Sequence, residues 1–225
     1  MTRLVAELRR GVFGIGWKGA AFCIAVGVAT YLASLGYDVL NHGPNRLFLR
    51  TALDQALPVV PIFVVPYVSL QPVIYSSLVI FLLFRARLQQ SAGLSMIATF
   101  LISYVFFAFL QTYVERPTLA ETDVLTRMMR DVYAGDHPFN DFPSLHVSTS
   151  AIIAIHWWRF NRRLGIVAAI WAVLVAMSTV LIRQHYLADV AGGLIVAFTT
   201  STLFLRLIDR EASEAQTAPS SQPAA

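Results

Sequence analysis

The sequence predicts an all-α protein, a six-span transmembrane helical bundle with both termini in the cytoplasm. Three observations lead there. Hydrophobic residues make up 56% of the 225 residues and charged ones only 13%, against roughly 25% charged in soluble domains. So little charge cannot cover the surface of a water-soluble fold of this size. The apolar residues gather in six long runs without Asp, Glu, Lys or Arg, and the basic residues fall unequally on the turns between those runs.

The first run is Gly19 to Tyr37. A helix rises about 1.5 Å per residue, so roughly 20 residues cross a ~30 Å hydrocarbon core. Residues 1–18 read as a cytoplasmic amphipathic lead-in, with Leu4, Val5, Leu8 and Val12 largely on one helical face. Arg3, Arg9, Arg10 and Lys18 ahead of an apolar stretch resemble a signal peptide. The 19-residue run exceeds the apolar region of a cleaved leader, however, and reads as an uncleaved first span. Cys23, the only cysteine, lies inside it, which leaves no disulfide framework and no cysteine metal site.

The second run, Gln55 to Phe84, is too long for one span and carries Pro58, Pro61, Pro66 and Pro72. Proline breaks helix interiors, so Gln55 to about Pro66 reads as an interfacial or re-entrant loop and Val68 to Phe84 as the span. Leu88 to Val114 is the third run and Leu164 to Ile182 the fifth. Phe142 to Trp158, interrupted by His146 and His156, is the fourth, and Val190 to Leu205 the sixth. The fourth and sixth reach span length when the polar residues at their starts lie at the interface. Residues 19–207 thus form a six-helix transmembrane domain. Residues 208–225, small and polar from Ala212 onward, form a disordered cytoplasmic tail. No internal repeat is found.

Alternating the six spans puts 11 basic residues on one side: Arg3, Arg9, Arg10, Lys18, Arg85, Arg87, Arg159, Arg162, Arg163, Arg206 and Arg210. The other side has six: Arg46, Arg50, Arg116, Arg127, Arg130 and Arg183. The positive-inside rule then places both termini in the cytoplasm, with Trp17, Trp157 and Trp158 near that boundary. The protein is expected in the cytoplasmic (plasma) membrane as a multi-pass protein. Its net charge of +4 is orientation information, and no compact basic patch points to nucleic acid.

Three segments on the non-cytoplasmic side hold most of the reactive side chains. In Arg183-Gln-His-Tyr-Leu-Ala-Asp189, His185 and Asp189 are four apart, on one face of a helix starting there. Asp189 can fix the imidazole tautomer and leave Nε2 as nucleophile or base; equally, the pair can simply cap a span. In Asn140-Asp-Phe-Pro-Ser-Leu-His146, Asn140 or Asp141 can cap a helix with Pro143 in its first turn. The free amides of that turn and the Ser144 hydroxyl suit an anion, and His146 could donate a proton; an ordinary capped helix reads the same way. Glu115-Arg116-Pro117 follows the third run. Arg116 either snorkels to lipid phosphates or holds a phosphoryl group bidentately.

In this order (Arg-Pro, then Pro-Ser-X-His, then Ser-x6-His-x3-Asp) the segments resemble the type 2 phosphatidic acid phosphatase (PAP2) superfamily of membrane lipid phosphatases and phosphotransferases. The resemblance runs from Gln111 to Gly193. The Pro143-Ser144-Leu145-His146 form is similar to the branch with inositol-phosphotransferase-like members. The resemblance implies that His185 attacks phosphorus to form a phosphohistidine, Asp189 orients it and His146 protonates the leaving group. It also implies that Arg116, Ser144 and a third-motif arginine hold the phosphoryl oxygens. Phe109 stands where the family has a lysine, and Ser178-Thr179 where it has Ser-Arg. Arg183, one helical turn later, is read as the replacement.

The function expected is that of a lipid-phosphate phosphatase at the outer membrane face, with a lipid phosphate or phospholipid as substrate and no cofactor. A phosphotransferase, passing the phospho-headgroup to a hydroxyl, is the alternative. From another class, a transporter or scaffold would place ionisable residues at mid-membrane, where this sequence has almost none. A zinc site from His146, His185 and Asp189 lacks a clear fourth ligand, so no metal is expected. His156, near the opposite face, and His137 are left outside the site. Gly192 and Gly193 are read as close-packing positions, and the loop 118–139 as shaping substrate entry. The oligomeric state is not encoded in any feature of the chain.

Overall fold

The computed structural model describes residues 8–43, 47–120 and 123–217. Among them, a 3₁₀ turn at Val12–Gly14 leads into α1 (Gly16–Ser34), which restarts after Leu35 as α2 (Gly36–Leu40). Leu4 and Val5 of the expected lead-in lie outside the described residues. Next comes α3 (Ala52–Ala56), opened by a capping box in which Thr51 Oγ accepts from Asp54 N–H and the Asp54 carboxylate accepts from Thr51 N–H.

The proline-rich stretch departs from the expected re-entrant loop. Only residues 57–60 are non-helical; a 3₁₀ turn at Pro61–Phe63 continues into α4 (Val64–Val68) and, past Ser69, into α5 (Leu70–Phe84). Pro61 takes the first position of its turn, where its missing N–H costs nothing. Pro66 and Pro72 each stand third in their helices, Val64–Val68 and Leu70–Phe84, in the first turn where proline is tolerated. The prolines therefore segment this helix without abolishing it.

The remaining helices are α6 (Ala86–Phe109), α7 (Val124–Gly135), α8 (Leu145–Phe160), α9 (Arg162–Leu181) and α10 (Leu187–Thr217). The part of the expected tail from 208 to 217 is thus helical, as its Glu, Ala and Gln residues favour; residues 218–225 lie outside the described residues. Among the described residues, five segments are long and apolar enough to cross a membrane: Gly16–Leu40, Pro61–Phe84, Ala86–Phe109, Arg162–Leu181 and Leu187–Arg210. The chain is a multi-pass helical membrane protein.

Helix α8, with 16 residues and a length of about 24 Å, sits among these five, packed on α5, α6, α9 and α10. Nine of its residues are buried, so it is insulated from lipid and need not match the bilayer in length. Phe81, Met96, Phe100, Ile152, Ile153 and Ala197 form the core around it. Helix approach there depends on small residues. A Cβ on Gly93 would meet Val26 Cγ1 at 2.4 Å, and the Thr99 and Thr200 hydroxyls lie 3.2 Å apart across α6 and α10. His156 is fully buried at the far end of α8. Its Nδ1–H donates to the Ile152 carbonyl, and Nε2 accepts from the Ser91 hydroxyl. Both ring nitrogens are used structurally.

Candidate active site

The chain leaving α6 is non-helical from Leu110 to Ala120 and carries Thr112 and Arg116 past the starts of α8 and α10. The buried Thr112 hydroxyl accepts from the amides of Asp141 (3.0 Å) and Phe142 (2.8 Å), holding the segment that precedes α8. Helix α8 begins later than the sequence pattern implied. Ser144 is the N-cap, its Oγ accepting from Val147 N–H, and Pro143 lies outside the helix. Asn140 adopts a left-handed conformation (φ 61°) and Asp141 is buried; both turn the chain inward ahead of the cap.

The Ser144 amide donates to the Asp189 carbonyl at 3.1 Å, which joins the starts of α8 and α10. Gly193 makes that junction possible: a Cβ there would lie 2.7 Å from the Ser144 carbonyl oxygen. Gly192 likewise makes room for the Phe142 ring.

His185 lies just before α10, and Asp189 in its first turn. The His185 Nδ1 and Asp189 Oδ2 are 3.6 Å apart, with the two side chains 6% and 0% exposed. That separation is an ionic approach longer than a hydrogen bond. The same Oδ2 accepts the Tyr186 amide at 2.7 Å, so Asp189 also caps its own helix. The Gln184 and His185 amides both donate to the Thr179 carbonyl (2.8 and 3.0 Å), folding the turn that presents His185. The cost of this turn falls on Arg183, at φ 54°.

The structure does not bring the Arg183 guanidinium to this cluster. Its Nη1 donates to the Asp54 carbonyl and its Nη2 to the Leu57 carbonyl, each at 2.6 Å. The left-handed backbone sends the side chain toward the α3 turn, where Asp54 in addition accepts from Leu187 N–H. Its neighbour Gln184, which the motif reading passed over, faces the cluster instead. Gln184 Oε1 accepts from Arg116 Nη2 at 2.7 Å. Arg116 Nη1 donates to the carbonyls of Tyr133 (3.1 Å) and Asp136 (2.6 Å), and the guanidinium lies over the Tyr133 ring. Arg116 thus ties α7, in the middle of the 118–139 loop, to the turn carrying His185.

His146, in the first turn of α8, has its ring centroid 5.8 Å from that of His185. The His146 ring also stacks on Tyr67 at 4.3 Å with a 21° interplanar angle. Tyr67 comes from α4, packed with Val64, Met129 and Ile182, and nothing in its sequence context marks it. His137 points elsewhere, with Nδ1 bonded to the Asn41 carbonyl.

Nine buried side-chain polar atoms among the described residues have no hydrogen-bond partner, and five of them belong here: Arg116 Nε, Asp141 Oδ2, Gln184 Nε2, His185 Nδ1 and Asp189 Oδ1. Buried polar groups are ordinarily paired, so such a concentration marks a place built for a polar ligand. Two of the five are unambiguous donors, suited to an anion.

Burial, reinforced by the charges of Asp189 and Asp136 and opposed by Arg116, holds the Asp141 carboxyl well above the ordinary carboxylate range. Because the folded state binds this proton more tightly, the associated stability is complete below the unfolded value of about 3.9. It is lost as pH rises through the folded value. Asp141→Asn, which cannot ionise, is expected to hold its melting temperature as pH rises from 5 while the parent declines. Parallel curves for the two proteins would refute this.

The PAP2 superfamily model matches residues 92–213, from the middle of α6 through α10. The undecaprenyl-diphosphatase BcrC of Bacillus subtilis is 32% identical over 118 residues, 52% of this chain and 56% of that protein. A PA-phosphatase related-family protein of Dictyostelium discoideum is 24% identical over 155 residues, 69% of this chain and 24% of that protein. The chain therefore spans about half the length of one curated relative and a quarter of the other. No solved structure matches it significantly. With over half of the chain matched, and the three motif segments meeting at one end of the bundle, the chain belongs to the PAP2 superfamily.

Proposed function

We propose that the protein is a lipid-phosphate phosphatase of the cytoplasmic membrane, with six spans, both termini in the cytoplasm and the site facing outward. Helix α8 is the fourth span in this reading and brings the five longer ones to six, short because other helices pack around it. The observation that carries the activity is the grouping of unpartnered buried donors, Arg116 Nε and Gln184 Nε2, beside two facing imidazoles. In this mechanism Asp189 holds the His185 ring through Nδ1, and Nε2 places its lone pair on phosphorus. The bond from phosphorus to the lipid oxygen breaks, and that oxygen takes a proton from His146. Water, deprotonated by His146, then attacks the phosphohistidine; the N–P bond breaks and phosphate leaves.

The bound phosphate itself favours the protonated form of His146, since a nearby anion stabilises imidazolium. Arg116, the Ser144 hydroxyl and Gln184 stabilise the equatorial oxygens, and Gln184 takes the place the sequence had given to Arg183. Arg183 serves by fixing the turn through its two carbonyl partners. The name of the Bacillus relative supports a phosphorylated lipid as substrate.

Purified protein given a ³²P-labelled lipid phosphate in EDTA is expected to release inorganic phosphate through an acid-labile phosphoenzyme. A labelled polyol monophosphate formed on adding a polyol would establish the phosphotransferase instead, the reading favoured by the Pro-Ser-Leu-His form. No product of either kind would refute both.

A further inference from the structure

A cavity of about 730 Å³ lies beside the histidines, and His146 lines one end of it. Its walls are α1 and α5, and its floor is α6. Helices α1 and α5 each pack on α6 and scarcely on each other, which leaves a slit between them along the lipid-facing side. At the His146 end the lining includes Tyr37, Asp38 and Gln71; through the middle it is apolar, with Leu78, Met96 and Phe100. Cys23 and Gln89 close the far end, where the Gln89 amide donates to the Cys23 carbonyl.

Cys23 and Tyr37 bracket the slot along α1 and α2, and 14 helical steps amount to roughly 20 Å. One leaflet of a ~30 Å hydrocarbon core is only about 15 Å deep. The slot is thus long enough for a whole acyl-length chain, and its volume is that of a ligand site. The pattern of polar groups near His146 and hydrocarbon contacts below them matches a molecule with a polar head and a single long tail.

We infer that this slot binds one hydrocarbon chain of the phosphorylated substrate, entering sideways from the bilayer between α1 and α5, with the phosphate delivered past His146. The inference rests on the assignment of phosphate chemistry to His185. Tyr67, stacked on the His146 ring, braces the imidazole at this end of the slot. The occupant is a chain of acyl length; a much longer polyprenyl tail would have to leave the slot through the slit.

Gly27 lines the slot, and a Cβ there would touch only the Gln89 amide, at 3.7 Å, so a larger side chain grows into the space without meeting backbone. Gly27→Phe and, on the facing wall, Leu78→Trp are each expected to lower the ratio of kcat/KM for a long-chain lipid phosphate to that for a soluble short-chain phosphate ester at least tenfold. A second readout does not need turnover. A lipid phosphate carrying a diazirine at its chain end, photolysed on the parent protein, is expected to label the stretch around Cys23 or Gln89. An unchanged ratio in both variants, or labelling elsewhere, would overturn the slot. Labelling in the slot without turnover of either substrate would support it and overturn the phosphatase reading instead.

Discussion

Replacing His185 by alanine is expected to lower kcat by at least about 10⁴-fold, some 5 kcal/mol of activation free energy, while leaving the fold in place. The first half follows from the proposed covalent step, in which His185 Nε2 is the atom that bonds to phosphorus. The second follows from what the imidazole does structurally. Its approach to Asp189 is 3.6 Å, and the bond that shapes the turn is made by its backbone amide to Thr179, which alanine retains. Asp189 keeps the Tyr186 amide as its partner. The check pairs single-turnover kinetics with thermal unfolding in detergent. Turnover within tenfold of the parent would remove His185 from the mechanism.

Arg116 should respond differently, because it works in both architecture and chemistry. Arg116→Ala is expected to reduce kcat/KM by at least about 100-fold, near 3 kcal/mol, and to lower the melting temperature as well. It leaves the carbonyls of Tyr133 and Asp136 and the Gln184 side chain without their donor, and hydrogen bonds to a charged group contribute about 1.5–3 kcal/mol each. Arg116→Lys separates the two roles. It keeps the charge, but a point ammonium cannot reproduce a fork engaged by three acceptors, so α7 should be released and protected amides in 124–135 should exchange faster. If hydrogen exchange in α7 is unaltered in both variants, the anchoring role is wrong.

How far the sequence carried can be judged residue by residue. Five of the six charge-free runs fall on helices of membrane-crossing length, in the expected order, because burial in lipid leaves a compositional trace that needs no partner; the remaining run, 142–158, forms the 16-residue α8. Arg116, Ser144, His146, His185 and Asp189 are legible through their order and spacing, and the structure gathers all five at one end of the bundle. Arg183 is not, because the direction of its side chain is set by one left-handed backbone angle that spacing does not encode. Gln184 was hidden for the same reason, since the turn that rotates Arg183 away rotates Gln184 in. Tyr67 could not be found from the chain at all, being one aromatic among many in an apolar stretch, and only packing places it on His146. The prolines misled in a different way. Their cost depends on where each falls in a helical turn, and here each falls where little is lost.

The burial of α8 within the bundle has a consequence for the membrane environment. Changes in bilayer thickness act on helices that touch lipid, making them tilt or stretch the surrounding membrane. The helix that carries His146 touches little of it, and a backbone hydrogen bond fastens its start to the residue that holds His185. Thickening or thinning the membrane is therefore expected to tilt the outer wall and leave the spacing of the two histidines unchanged, which would make the proposed chemistry insensitive to bilayer thickness.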